Sequence, residues 1–322
     1  MRNTKGRLWL AGLLALALVV TATMLVALGA QTKGQRLDDL ATLKQKRIDA
    51  EIAEMRAEIR ANGWNFTVGD NPAMHYDIED ITGFNPMMQG ELKHAQGGPI
   101  AEPGDVDVTA LASYFVSGYV TPVKNQLNCG SCWAFGSIAT FETVILKQLG
   151  ATVDLSEQYL VSCNTSGWGC SGGMWPYDMF VSPAAGLPYE MSFPYVAQDV
   201  PCQPTTPVYR ATNYTFIAGQ NTIPAVDLIK QAISDHGGVT VGVYVDRWFQ
   251  AYTGGVLSRC ARNPRGVNHM VQLVGWDDSV GAWKLKNSWG TGWGEDGFVW
   301  IKYGCDLVGY GASYLTGPYA VN

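Results

Sequence analysis

Past residue 7 the chain has no long run of basic side chains, and its formal net charge is -6 over 322 residues. A phosphate-binding surface needs clustered Lys and Arg, so nucleic acid is excluded as a partner. No stretch after residue 30 is long and apolar enough to span a bilayer, which confines any membrane tether to the N-terminus. Cysteine is absent before residue 129, so the first hundred residues lie outside the covalent frame that follows. Histidine is scarce, at 75, 94, 236 and 269 only, which leaves few candidates for an imidazole base.

What is present bounds the class. With 47% hydrophobic residues the chain can bury one sizeable core, and its 37 Gly and 11 Trp suit a loop-rich, well-packed globule better than a helical bundle. The N-terminus reads Met-Arg-Asn-Thr-Lys-Gly-Arg followed by an uncharged run over 8–30. Residues 1–30 are therefore a translocation signal, cleaved at the small residues Gly29 and Ala30 or retained as an anchor. Either outcome takes the remainder out of the cytosol, to a secreted or lysosomal/vacuolar-type location or to a membrane-anchored one. Seven cysteines, at 129, 132, 163, 170, 202, 260 and 305, then meet an oxidising compartment, and the odd count leaves one unpaired. Asn65, Asn164 and Asn213 begin Asn-x-Ser/Thr triplets.

Three stretches follow. Over 36–60 the chain is charge-dense, with Ile48, Ile52, Met55 and Ile59 on one stripe of an amphipathic helix. From Gly63 to Gly104 it turns to Gly, Pro, Asn and Met without a sustained period, as an extended connector does. Residues 105–322 hold every cysteine and form the disulfide-framed unit. There, helices are expected over Cys132–Leu149, Ser156–Cys163 and Pro224–His236, then strands starting at Val239, Met270, Ala282 and Phe298. Helices first and antiparallel strands after give an α+β order with two lobes.

Chemistry concentrates in three strings. Gln126-Leu-Asn-Cys-Gly-Ser-Cys-Trp-Ala-Phe puts Cys132 at the start of a helix, where the dipole favours the nucleophilic thiolate. A structural disulfide or redox dithiol of Cys129 with Cys132 is the alternative use of the same string. A thiol nucleophile needs a base. His75 and His94 precede the framed unit and His236 sits in a polar helix end, which leaves His269 in Gly-Val-Asn-His-Met-Val-Gln. In Lys286-Asn-Ser-Trp-Gly-Thr-Gly-Trp-Gly, Asn287 can accept the imidazole N–H and fix the tautomer, with Trp289 shielding that bond from water. Gln126 can donate to the developing oxyanion beside the backbone N–H of Cys132.

With these strings in place, residues 105–322 resemble the papain-like cysteine proteases, as do Thr121-Pro-Val-Lys-Asn-Gln, Leu155-Ser-Glu-Gln-Tyr-Leu-Val-Ser-Cys and Gly169-Cys-Ser-Gly-Gly. The resemblance implies a left helical lobe carrying the nucleophile helix, a right lobe with an antiparallel barrel-like sheet, and a cleft between them. It implies disulfides Cys129 with Cys170, Cys163 with Cys202 and Cys260 with Cys305, leaving Cys132 free. Gly172 and Gly173 would bind substrate backbone as a short strand. Trp175 (or Pro176), Gly242 and Asn268 would line the pocket for the second residue before the scissile bond, P2, which is expected to be apolar rather than arginine. The activity implied is endopeptidase, made as a zymogen, acting as a monomer on protein or peptide substrates without metal or organic cofactor. Residues 31–104 would be its prosegment and intramolecular inhibitor.

Several positions depart from that family. The prosegment helix motif is incomplete, Val68-Gly-Asp-Asn-Pro-Ala-Met-His lacks the Phe and Asp of the second motif, and Leu127 stands where Gly is common. Leu111-Ala-Ser-Tyr-Phe-Val-Ser-Gly also lacks the usual Asp-Trp-Arg. The absence of His-His disfavours carboxydipeptidase action, and no exclusion domain for aminopeptidase action is evident. A non-catalytic binding protein, a thiol oxidoreductase and a peptide ligase are the competing readings.

Overall fold

A computed structural model describes the backbone of residues 5–87, 106–181 and 186–321, with side chains from residue 34 onward. The side chains of the apolar run over 8–30 and the part of the connector beyond residue 87 lie outside the described residues. No helix among the described residues is long and apolar enough to cross a membrane. The chain divides into two compact units, 1–54 and 55–322.

Helix α1 (Lys5–Asn62) is longer at both ends than the amphipathic stretch read from the sequence. Ile48, Ile52 and Met55 are buried along the expected stripe, while Leu37, Leu40 and Leu43 are exposed. The connector is not wholly extended: strand β1 (Phe66–Val68), a 3-10 turn at Pro72–His75 and helix α2 (Ile78–Ile81) interrupt it. Asn71 starts the 3-10 turn by accepting the N–H of Ala73 at 2.9 Å.

The helical side comprises α3 (Cys132–Leu149), α4 (Glu157–Cys163) and α5 (Asp178–Val181). Helix α3 is buried through Ile145 save for Ala139, so tertiary packing rather than an amphipathic stripe holds it. Gly150 stops it in the left-handed region at φ 68°. Ser156 caps α4 by accepting the Tyr159 N–H at 3.0 Å. Aromatic bulk fills the core beside them: Trp133, Phe141, Trp175, Tyr177 and Phe180 are fully buried.

The sheet side follows strands β2 (Ser113–Phe115), β3 (Tyr209–Arg210) and β4 (Asn213–Phe216). Helix α6 (Val226–His236) then leads to β5 (Val239–Val243), and α7 (Arg247–Ala251) to β6 (Tyr252–Leu257). The remainder are β7 (His269–Asp277), β8 (Ala282–Lys286), β9 (Phe298–Lys302), β10 (Tyr310–Thr316) and β11 (Tyr319–Ala320). The large sheet runs β1-β6-β9-β8-β7-β5-β10-β4, with β2 beside β7, and β3 pairs with β11 separately. All pairings are antiparallel except β6 with β9. The architecture is α+β, but the path ends at β1 on one edge and β4 on the other, so the described strands make an open sheet and not the barrel-like closure expected. Disulfides join Cys129 to Cys170, Cys163 to Cys202 and Cys260 to Cys305, and Cys132 is free.

His236 is not a solvated helix end. Its ring stacks on Tyr314 with centroids 3.9 Å apart, and burial lowers its pKa. The Asn164 side chain is engaged as well. Its amide donates to the carbonyls of Leu160, Val161 and Trp168 at 2.8–3.0 Å and so closes α4.

Candidate active site

Cys132 occupies the first position of α3, and His269 begins β7. The two elements touch closely: a Cβ on Gly136 of α3 would lie 3.0–3.2 Å from Met270, the residue after His269. The Cys132 sulfur hydrogen-bonds with the backbone of Met270. From the adjoining strand, β8, the chain runs directly into Asn287, whose Oδ1 lies 2.8 Å from His269 Nε2. That bond orients the ring, and His269 Nδ1 is left without a hydrogen-bond partner among the described residues. The Trp289 indole lies against the imidazole with centroids 4.9 Å apart, and all of these side chains are buried.

Gln126 is fixed from several sides. Its Oε1 accepts from Ser288 Oγ at 2.6 Å, and its carbonyl accepts from Tyr195 Oη at 2.8 Å. Its Nε2 donates to the carbonyls of Cys129 at 2.9 Å and Ile81 at 3.2 Å. Trp289 Nε1 donates to the same Ile81 oxygen at 3.0 Å. A main-chain oxygen therefore sits where two side-chain N–H donors converge.

Ile81 ends α2, and from Thr82 the chain crosses the site in extended form. The N–H groups of Gly83 and Phe84 both donate to Asn268 O, at 3.0 and 2.9 Å. Gly173 N donates to Gly83 O at 2.8 Å, and Asn85 N donates to Gly173 O at 3.0 Å, which makes a short parallel bridge. Of the two glycines expected to bind backbone, Gly173 makes these bonds. Gly172 pairs locally with Gly169, and a Cβ there would stand 2.6 Å from Gly83 O. The passage past the loop before Cys132 is so close that a Cβ on Gly83 would meet Gly130 O at 1.9 Å. Only glycine fits at 83 without moving backbone.

Phe84 seats its ring in an apolar pocket. Trp175 meets it edge to face at 4.8 Å, a Cβ on Gly242 would lie 2.8 Å from its ring, and Val267 closes the side. The Trp175 indole covers Gly311, where a Cβ would stand 2.2 Å from it, so a large wall residue is matched by glycines opposite. Asn268 contributes its carbonyl alone. Its side chain exchanges bonds with Val245, at 2.7 and 3.0 Å. Reading the sequence for side chains missed Val267, because a valine at a strand mouth looks like any core residue.

With the cleft filled, burial pushes the Cys132 thiol up to about 12, against the pull of hydrogen bonds with the backbone of Met270, Gly83, Phe84 and Trp133. Burial likewise brings His269 down to about 4, with the Asn287 bond opposing it. The pair is neutral in this state. Behind it lies a charged cluster that sequence reasoning did not assign. Lys124 Nζ binds Glu142 at 3.0 Å, Glu157 at 2.9 Å and Asp154 at 2.6 Å, and Lys286 reaches Glu142 through the Thr121 hydroxyl. Burial lowers Lys286 to about 8 and raises Glu157. Glu142, the one carboxylate in the mostly buried helix α3, is the signal that was available, since a buried carboxylate requires a partner.

Leu127, beside Gln126, adopts φ 53°, in the left-handed region, and is 41% exposed. That conformation costs a residue with a Cβ about 1–2 kcal/mol, which accounts for glycine being common at this place. Its N–H is held by Asn125 Oδ1 at 3.0 Å, and the loop is pinned by Gln126 N to Ser288 O at 2.8 Å.

The papain family cysteine protease model matches residues 103–315. Gamete and mating-type specific protein A of Dictyostelium discoideum is 37% identical over 213 residues, covering 62% of this chain and 45% of that protein. Cathepsin K of Gallus gallus is 38% identical over 188 residues, covering 56% of this chain and 55% of the other. The chain thus spans about half the length of these curated relatives. Digestive procathepsin L2 proteinase from Tenebrio molitor larval midgut superposes with TM-score 0.74 at 29% identity, over 85% of this chain and 91% of that one. The recombinant stem bromelain precursor does so with TM-score 0.69 at 27% identity, over the same shares. The family model extends over well beyond half of the sequence and coincides with the disulfide-framed unit, and this chain belongs to the papain family of cysteine proteases.

Proposed function

We propose that the chain is the precursor of a cysteine endopeptidase in which Cys132 is the nucleophile, His269 its base and acid, and Asn287 the group that orients the imidazole. The observation that carries this reading is a peptide already lying in the cleft. Its backbone pairs with Gly173 and Asn268, and its Ile81 carbonyl is held by Gln126 and Trp289. A site that holds a main chain this way, with a thiol and an oriented imidazole beside it, suits attack on a peptide carbonyl.

In the opened cleft the Cys132 proton passes to His269, and the thiolate adds to the scissile carbonyl. The oxyanion takes hydrogen bonds from Gln126 Nε2 and the Cys132 N–H. The imidazolium protonates the leaving amine as the C–N bond breaks, which leaves a thioester on Cys132. Water, deprotonated by His269, then releases the acid and returns the proton to sulfur.

In the precursor, residues 31–104 are the prosegment, with 81–85 barring the cleft and 105–322 forming the peptidase. Residues 8–30 serve in export or as a tether, and the enzyme acts as a monomer in a secreted or lysosomal/vacuolar-type compartment. The three disulfides support an oxidising environment. Phe84 between Trp175, Gly242 and Val267 supports an apolar P2, since these contacts are all uncharged.

The test is to mature the folded full chain and label it with an epoxide thiol inhibitor, wild type against Cys132→Ala. One labelled residue, lost in the variant together with at least about 10⁴-fold of kcat, is expected. Unlabelled but correctly folded, prosegment-free protein would favour a binding protein on this fold. A P2 profile headed by arginine would refute the pocket assignment.

A further inference from the structure

Leu127 combines three properties that no structural need explains. It holds a left-handed backbone that strains any residue with a Cβ, it leaves an apolar side chain 41% exposed, and it adjoins the oxyanion donor Gln126. Strain retained at an exposed position beside reacting groups points to use there.

Where the side chain sits defines that use. Leu127 lines one small cavity with Asn125 and Trp289 of the peptidase and Pro72, Ala73, Tyr76 and Ile81 of the closing segment. The leaving amine must lie against His269 to take its proton, and Trp289 is the ring packed on His269. The Trp289 side of the cleft is therefore the leaving-group side, while Phe84 marks the acyl side. None of the seven lining residues is charged, and the segment's share of the lining is apolar or aromatic.

We propose that Leu127 is a specificity-determining residue for the leaving half of the substrate. Once residues 81–85 withdraw, its side chain and the Trp289 indole form an apolar wall that selects a large apolar residue immediately after the scissile bond over glycine or aspartate. The proposal rests on the peptidase reading above and goes beyond it, since that reading assigns only the acyl side. A leucine on this wall is retained at the expense of loop stability, so removing it should improve one property and harm the other.

The experiment uses the full chain, folded and then matured, as wild type, Leu127→Gly and Leu127→Asn. Both substitutes tolerate the left-handed backbone, so both are expected to fold. Substrates share one acyl half with Phe at P2 and differ only in the residue after the scissile bond, as Leu, Gly or Asp. A fourth has the same acyl half with a coumarin amide as leaving group. The expected result is a kcat/KM preference of about tenfold for Leu over Gly in wild type, falling to within about threefold in both variants. Leu127→Gly should also melt a few degrees higher. An unchanged Leu-to-Gly ratio in the variants, or none in wild type, overturns the proposal even though the coumarin amide is hydrolysed. Failure of wild type on the coumarin amide as well would sink the peptidase reading itself.

Discussion

His269 and Asn287 meet through side-chain atoms and Gln126 presents its side-chain amide, whereas residues 81, 83 and 84 meet the site mainly through main-chain atoms. The difference decides what each region asks of its sequence. Under the proposed mechanism, a thiol, an imidazole and two amides must be those residues, at those places. A carbonyl at 81 or an N–H at 83 and 84 can come from almost any residue, so the closing segment is constrained mainly where space is short. Gly83 against Gly130 is such a place, and Phe84 in the Trp175 pocket is the other. This explains how the segment closes the cleft although its family motifs are incomplete.

The contrast can be broken or sharpened experimentally. The largest effect is expected behind the side-chain site. Glu142→Ala strips Lys124 and, through Thr121, Lys286 of a buried counter-charge, and should lower stability by roughly 3–5 kcal/mol in chemical denaturation. A loss under about 1 kcal/mol would mean that the remaining carboxylates suffice. Next, Gln126→Ala in matured enzyme should reduce kcat by about 10²–10³-fold with little change in KM, because the bond it makes belongs to the transition state.

Opening of the cleft should respond to acid with a definite sign. Burial holds His269 down to about 4 in the closed form, against its ordinary 6.5. In Cys132→Ala protein nicked between residues 88 and 105, no thiol can supply a proton, so opening draws one from solvent. The stabilisation of the closed form is complete above pH 6.5 and is lost as pH falls through about 4, an effect of about 3 kcal/mol. Segment release measured from pH 7.5 to 4 should therefore rise steeply, and a flat profile contradicts the assignment. The smallest effect comes from the main-chain region. Gly83→Val should loosen closure of the full-length chain by about 10–100-fold, read as thiol labelling rate, through overlap with Gly130 O.

How much of this was legible depended on the kind of signal. The α3, α4 and α6 helices and the β5, β7, β8 and β9 strands stand in the sequence as apolar runs with clear punctuation. Strand β6, Tyr252-Thr-Gly-Gly-Val-Leu, and β10, rich in small residues, carry little β signal of their own and are strands because β1, β9, β5 and β4 pair with them. The pairing of His269 with Asn287 could be anticipated from the strings that hold them, since few histidines competed. The cleft-filling path of 81–85 could not, as main-chain bonds leave no residue signature. Leu127 stood out only as a departure, and its φ of 53° supplies the physical meaning.

The central claim is that one thiol, Cys132, is the reactive group and that the chain's own residues cover it. Its most direct test is the alkylation rate of Cys132 in the folded full-length chain, compared with the same protein after the segment before residue 105 has been removed. Removal of the cover should accelerate labelling at Cys132 by at least about 100-fold at pH 6.5, as the buried neutral thiol becomes an accessible thiolate. Equal rates before and after removal would contradict the account, because Cys132 would then be neither covered by the segment nor activated when it leaves.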